Sequence, residues 1–399
     1  MALLALMLAA GCPDGQNAEN VAAEPPPSNS ESERPAGQGK GGNSRSGNPE
    51  PGAGDPANEY PNSGHPSAED PASVITPEAG PEVIADELEI PWSIEKQGNT
   101  FYLTERTGSM VKVEEGNKVR QKVELSKPLA TAAEAGLLGF VLAPDFPGSG
   151  RAYAYYTYED RSGQFNRIVT LVLEEDVWKE ERVLLDHIPS GRFHHGGRLK
   201  IGPDGKLYAA TGDATEPSVA QDPESLGGKI LRMNLDGSVP DDNPFPDSYV
   251  YSYGHRNPQG LAWAADGTLY ASEHGSSAND EINRIEAGNN YGWPVIQGAE
   301  EQEGMVTPLF TSGRQTTWAP SGMAWADGKL YAAALRGAAV LEFDLSSGRV
   351  REAVTGFGRI RDVRIEGDTL YWITNNTDGR GTPREGDDKL YRVSLSRLP

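Results

Sequence analysis

The stretch Ala265–Gly275, ADGTLYASEHG, decides the fold. Asp266-Gly267 is a tight-turn pair that opens a hairpin, and Leu269 and Tyr270 begin an apolar, β-rich run. The same phrase, a polar turn followed by alternating apolar and aromatic residues, recurs along the chain. It reads GNTFYLTERTG at 98–108 around Tyr102, GSGRAYAYYTY at 148–158 around Tyr153, and PDGKLYAATGD at 203–213 around Tyr208. It returns as ADGKLYAAALRG at 326–337 around Tyr331 and EGDTLYWITNN at 366–376 around Tyr371. Successive copies lie roughly 40–60 residues apart, the period of a four-stranded propeller blade. The copies predict an all-β fold: a six-bladed β-propeller with four-stranded antiparallel blades, whose sheet edges are short and protected. An irregular β-sandwich is the competing architecture. No segment keeps a helical period over three turns.

Composition agrees with a β protein. The chain has 399 residues, 37% hydrophobic and 24% charged, with 47 Gly, 30 Pro and 15 Tyr. That abundance of turn formers and tyrosine suits strands better than a helical bundle. The formal net charge of −22 argues against nucleic acid as a partner, because phosphate contacts need basic patches. The single cysteine, Cys12, excludes an intramolecular disulfide.

Three segments are expected. Residues 1–12 begin with the apolar run MALLALMLAA and end in Gly11-Cys12. They resemble the end of a bacterial lipoprotein signal, in which the cysteine becomes the lipidated N-terminus. Two departures are visible: no Lys or Arg precedes the run, and Ala9 stands where leucine is usual. The run is too short to span a bilayer, which takes about 20 apolar residues. Residues 13–75 are rich in Pro, Gly, Ser and Glu and almost lack large aliphatic residues. Such a segment cannot bury enough apolar surface to offset its ordering entropy, and a disordered tether is expected. Residues 76–399 form the folded domain. The expected location is extracytoplasmic, with the lipid on Cys12 as the sole membrane contact.

In a propeller, loops from one end of every blade meet on an axis, so residues distant in sequence share one site. The polar residues flanking the recurring strands are the candidates. The segment FHHGGRL, 193–199, precedes the strand that ends at Asp213. A histidine is the natural base for a hydroxyl proton, and a carboxylate on its other nitrogen fixes the tautomer. From spacing alone this segment is equally a plain loop or part of a metal site. Arg256, Asn257, His274, Asp280 and Glu281 flank the strand around Tyr270, more polar groups than a plain strand needs. Arg359 and Arg361 alternate, so they share one face of a strand. Two cations on one face repel unless an anion lies between them; a pair of surface arginines is the alternative.

Taken in order, HHGGRL (194–199), GHRNPQG (254–260), DEIN (280–283) with GNNYGWP (288–294), and RIRD (359–362) closely resemble the soluble quinoprotein sugar dehydrogenases. The resemblance covers roughly residues 75–399. The short loops look closer to the broad-specificity aldose sugar dehydrogenases than to the larger glucose enzymes. These proteins use pyrroloquinoline quinone (PQQ) and calcium. The resemblance implies that His194 is the base, that Asp213 orients it, and that Arg256 and Asn257 contact the quinone. It implies that the carbonyls of Gly275 and Ser276 ligate calcium, with Ser276 where proline is common. Asp280 and Glu281 are left to a further calcium or to holding their loop. Trp293 is expected to pack.

Further along, Glu134 in AEAGLLGF (133–140) corresponds to a polar residue that contacts PQQ. A glutamate beside a tricarboxylate is awkward unless an arginine or calcium offsets it. Arg336 stands where the family often has a lysine that meets a PQQ carboxylate, and Arg359 and Arg361 match a paired-arginine phrase. A guanidinium at Arg256 would stabilise charge developing on the quinone.

The expected activity is oxidation of an aldose sugar at its anomeric carbon to an aldonolactone. His194 takes the hydroxyl proton, hydride passes to the quinone, and an external acceptor collects the electrons. No dinucleotide fingerprint on a βαβ unit is visible, so NAD is not expected. The rival functions are a non-catalytic, calcium-stabilised propeller that binds glycan or protein, and a propeller lactonase using calcium as Lewis acid. A lactonase calls for acidic and amide groups on the axis, whereas the residues inferred there are mostly basic.

Overall fold

Each copy of the recurring phrase forms a strand and carries its tyrosine into the core. The strands are Thr100–Glu105, Arg151–Asp160, Leu207–Thr211, Leu269–Glu273, Lys329–Ala334 and Thr369–Thr374. Their repeat tyrosines, Tyr102, Tyr153, Tyr208, Tyr270, Tyr331 and Tyr371, are all buried. The structure, a computed structural model, describes residues 80–398. The expected signal (1–12) and tether (13–75) lie outside the described residues. Within them the fold is all-β, and its one α-helix is the four-residue Phe146–Ser149.

The sheets are mostly antiparallel meanders of strands consecutive in sequence. One runs Leu199–Ile201, Leu207–Thr211, Lys229–Met233, Val250–Tyr253; two more follow the same order over 258–311 and 320–355. The sheet over 360–394 takes its fourth strand from the other end of the described chain. Glu82–Ala85 pairs with Leu390–Ser394, Glu82 opposite Arg392, so both ends complete one sheet.

The remaining strands depart from separate four-stranded units. Two meanders, 91–124 and 137–189, join into one eight-stranded sheet. The joint is a short parallel pairing of Lys122–Glu124 with Val177–Lys179. Val177–Pro189 is 13 residues long. Its start reaches the open edge of the neighbouring meander, where free backbone groups find partners.

Sheets stack face to face, and this sets the burial pattern. Leu207–Thr211 and Leu269–Glu273 are buried at every position, on both faces. That is why small residues, Ala209, Ala210 and Ala271, stand where a one-sided sheet would carry polar ones. The apolar clusters lie between successive sheets. Tyr208 and Ile230 pack on Leu261 and Leu269; Tyr270 and Ile282 pack on Met323 and Leu330. A further cluster brings Phe101, Leu103 and Val111 against Tyr371, Ile373 and Leu390, so the first sheet also meets the last. The turns open the recurring strands at one end, and the polar loops leave from the other. There Arg106, His195, Gln259, His274, Leu335 and Arg361, from several sheets, line one small cavity of about 20 Å³. That is room for about one water.

Candidate active site

His194 and Asp213, which the resemblance pairs, meet in the structure. Nδ1 of His194 lies 2.7 Å from Oδ1 of Asp213. The approach depends on Gly212, since a Cβ there would come within 1.9 Å of the His194 carbonyl oxygen. His194 itself has φ +64°, a left-handed backbone that costs a non-glycine residue roughly 1–3 kcal/mol and clusters at functional sites. Asp213 also accepts from the Thr215 N–H at 2.8 Å and, through Oδ2, from the indole Nε1 of Trp293 at 2.8 Å. A carboxylate only accepts, so in the neutral imidazole the single proton sits on Nδ1 and the lone pair on Nε2. Nε2 has no hydrogen-bond partner among the described residues.

The loops 254–257 and 288–294 interlock beside this pair. Gly254 has φ +75°, and a Cβ there would sit 2.1 Å from Asn290 Oδ1. The glycine of GHRN is thus required by the asparagine of NNYGWP. Asn257 is buried, and its Oδ1 accepts from the Gly196 N–H at 2.9 Å. Arg256 donates through Nη1 to the carbonyls of Gly275 (2.7 Å) and His274 (3.2 Å), and its guanidinium lies over the Trp293 ring at 5.4 Å. Burial lowers the pKa of Arg256, against the pull of Asp213 and Glu273.

Arg359 and Arg361 are both buried. Arg361 is buried and meets only neutral acceptors: Asn375 Oδ1 at 2.9 Å, Gln259 Oε1 at 2.9 Å and Ser321 Oγ at 3.5 Å. With no carboxylate among these partners, burial pulls its pKa down to about 9. Arg359 pairs with Asp378 at 2.8 Å, but its Nε is buried without a partner. It lines a groove of about 460 Å³ together with Arg336, Arg380 and Arg384. Around the small cavity, Nε2 of His195 and of His274 are also buried without partners. Burial holds both imidazoles neutral, at about 4.

Glu134 has the offsetting arginine that its placement calls for. Arg380 donates to Oε1 at 2.8 Å, and the His194 backbone N–H donates to Oε2 at 3.1 Å. Burial alone would raise the Glu134 pKa; Arg380 outweighs it and holds the group at about 2. Arg380 belongs to the loop TDGRGTPREG, which has no strand pattern to announce it.

The expected metal residues share one loop. The Gly275 carbonyl already accepts from Arg256, and the Ser276 hydroxyl donates to Gln297. Both Asp280 oxygens are committed to holding the loop: Oδ1 to the Gly275 N–H, and Oδ2 to Thr317, Trp318 and Ala319. Glu281 accepts from Asn283 and from the Gly298 N–H. Burial, reinforced by Glu273 opposite it in the sheet, raises its carboxyl to about 8. Among the described residues no three His, Cys, Asp or Glu side chains converge on a metal-sized point.

Two residues inside the quoted phrases have structural tasks. Arg198, of HHGGRL, is buried; its Nη1 bridges to Asp362 Oδ2, of RIRD, at 2.9 Å, and its Nε reaches the Gln259 carbonyl at 2.8 Å. Trp293 hydrogen-bonds the carboxylate beside the histidine, a contact that an expectation of packing misses. The indole N–H in NNYGWP was the available signal.

A half-buried histidine held by a carboxylate, with buried arginines nearby, suits an oxidoreductase site for an anionic organic cofactor better than a hydrolase site. The comparisons agree. Residues 88–391 match the family described as Glucose / Sorbosone dehydrogenase, and this chain belongs to that family. It is 31% identical to the aldose sugar dehydrogenase YliI of Escherichia coli, over 75% of this chain and 90% of that one. It is 35% identical to quinoprotein glucose dehydrogenase B of Acinetobacter calcoaceticus, over 54% of this chain but only 52% of that one, so it spans about half that relative's length. Among solved structures, the PQQ-bound aldose sugar dehydrogenase of Streptomyces coelicolor superposes with a TM-score of 0.74 at 36% identity, covering 78% of this chain and 96% of that one.

Proposed function

We propose that this protein oxidises aldose sugars at the anomeric carbon to aldonolactones, using PQQ and calcium. The observation that carries the proposal is the His194–Asp213 pair at 2.7 Å, set beside arginines that lack a full set of anionic partners. The donor set fits a flat polycarboxylate. Arg361 is buried among neutral acceptors, and Arg359 Nε and two imidazole nitrogens are buried without partners. A dianion or trianion in the groove of about 460 Å³ would meet Arg336 and Arg359, and the one-water cavity that Arg361 and the two imidazoles line would have to widen to admit one of its carboxylates. Arg336, Arg359 and Arg361 would hold its carboxylates, with Glu134 and Arg380 as a neutralised pair at the edge. Arg256 and Asn257 would face the quinone oxygens.

Bound PQQ would supply the hydride and two-electron acceptor. Nε2 of His194 takes the proton from the anomeric hydroxyl. Asp213 holds the imidazole in the required tautomer and stabilises its protonated form. Arg256 presents positive charge where negative charge develops. The Gly275 and Ser276 carbonyls would hold calcium; the first of them also accepts from Arg256. The architecture that fits this site is a six-bladed propeller, counting the eight-stranded sheet as two blades. An extracytoplasmic, Cys12-lipidated location and an external electron acceptor complete the proposal.

The test is reconstitution. Apoprotein with PQQ and calcium is expected to reduce a dye when given aldoses and to show the absorbance of bound quinone. His194→Ala should abolish turnover and spare quinone binding. Absence of both dye reduction and quinone binding in the wild type would reject the proposal; full turnover in the alanine variant would move the base to another residue.

A further inference from the structure

We propose that Trp293 is a positioning residue for the proton acceptor, acting through Asp213; the inference rests on the proposed reaction, in which His194 takes the proton. Asp213 uses both oxygens. Oδ1 accepts from His194 Nδ1 at 2.7 Å and from the Thr215 N–H at 2.8 Å. Oδ2 accepts only from Trp293 Nε1, at 2.8 Å, among the described residues. The terminal torsion of an aspartate is broad and poorly self-defined. With one oxygen free, the carboxylate can rotate and carry the imidazole with it. The indole N–H is what pins the second oxygen.

Trp293 is itself fixed more firmly than packing requires. Its backbone N–H donates to the Gly254 carbonyl at 2.9 Å, and its backbone carbonyl accepts from Gln221 Nε2 at 2.7 Å. Gln221 exchanges two hydrogen bonds with Asn290, at 3.0 and 2.8 Å, and Asn290 Oδ1 accepts from the Gly292 N–H at 2.9 Å. The 217–228 loop that carries Gln221 is held by buried Lys229, whose Nζ donates to the carbonyls of Val219, Ala220 and Gly227. The same indole ring lies against the Arg256 guanidinium. One side chain therefore touches both the carboxylate that orients the base and the Arg256 guanidinium. Phenylalanine would fill the space and contact Arg256 but could not bond Asp213.

The experiment compares Trp293→Phe with wild type, alone and in an Asp213→Ala background, in PQQ- and calcium-loaded protein. Supporting groups of this kind change activity by about 10- to 100-fold, so kcat should fall by about that much in Trp293→Phe. The KM for sugar, the quinone titration and the thermal midpoint should stay near wild type. In the Asp213→Ala background the same substitution should do nothing further. A second readout needs no turnover. In 15N-histidine-labelled apoprotein, the His194 Nδ1–H should exchange with solvent faster in Trp293→Phe. A kcat within twofold of wild type, a multiplicative loss in the Asp213→Ala background, or an unchanged exchange rate would each overturn the inference. Wild type that binds no quinone and reduces no dye would instead remove the parent reaction and the catalytic role with it. The exchange measurement would still decide whether the indole fixes the carboxylate.

Discussion

Replacing Arg198 by methionine removes one charge from the pair that ties HHGGRL to RIRD. Asp362 is 1% exposed, and its remaining partners are the Ile94 N–H at 2.9 Å on Oδ2 and the Val363 N–H at 3.0 Å on Oδ1. Methionine can keep the contact with Trp92, over whose ring the guanidinium lies at 4.2 Å, so the loss is mainly electrostatic. Breaking a buried pair by removing one partner costs about 3–5 kcal/mol. Arg198 Nη2 is buried without a partner, so relief of that group places the expected cost near the lower bound. One kcal/mol moves the midpoint of a domain of 150–250 residues by roughly 2–4 °C. For a larger fold the lower figure applies, and the expected drop is roughly 5–10 °C in apoprotein. Replacing both partners, as Arg198→Met with Asp362→Leu, should recover most of it, because a well-packed apolar pair is often as stable as a buried ion pair. The assay is thermal unfolding followed by circular dichroism. A drop below about 2 °C for the single variant, or a double variant no better than the worse single, would show that the pair does not hold the hub together.

Arg361→Gln should separate stability from binding: apoprotein melts at the same or a higher temperature, because a buried cation with only neutral partners is removed, while the quinone dissociation constant rises at least about tenfold. Equal quinone affinity in titration would mean that Arg361 does not meet the ligand. Glu134→Gln should tighten quinone binding by roughly threefold to tenfold at low salt, since it removes a negative charge next to an anion; weaker binding would show that Glu134 acts by aiming Arg380. Glu281 titrates near 8 folded and near 4.5 unfolded, so the folded chain binds the extra proton between these values and its stability falls as pH rises through that window. In calcium-free apoprotein, Glu281→Gln should flatten that part of the pH dependence, read as unfolding midpoints from pH 5 to 9; an unchanged slope would contradict the raised pKa.

What the sequence by itself determined is local. A polar Gly-containing turn followed by alternating apolar and aromatic residues, Asp-Gly before Leu-Tyr in three of the six copies, favours a hairpin strand, so the repeat spelled out an all-β chain of meanders. Arg359-Ile360-Arg361 announced two neighbouring cations, but Arg359 stands before the strand Ile360–Glu366 and a register shift follows Ile360, so alternation alone does not set their faces. His194 and Asp213 flank one hairpin, Leu199–Ile201 with Leu207–Thr211, so local pattern brought them within reach of each other without assigning their roles. The tertiary structure decided which distant groups share a bond. Glu134 meets Arg380, Arg198 meets Asp362, and the Trp293 indole meets Asp213. It also decided that Asp280 ties up its own loop and that two meanders fuse along the Val177–Pro189 edge. The physical reason is one of range. Turn chemistry and side-chain alternation act over a few residues and leave a periodic trace. A hydrogen-bond partner across the hub is chosen by which loops converge once the sheets have stacked, and no short pattern records that convergence.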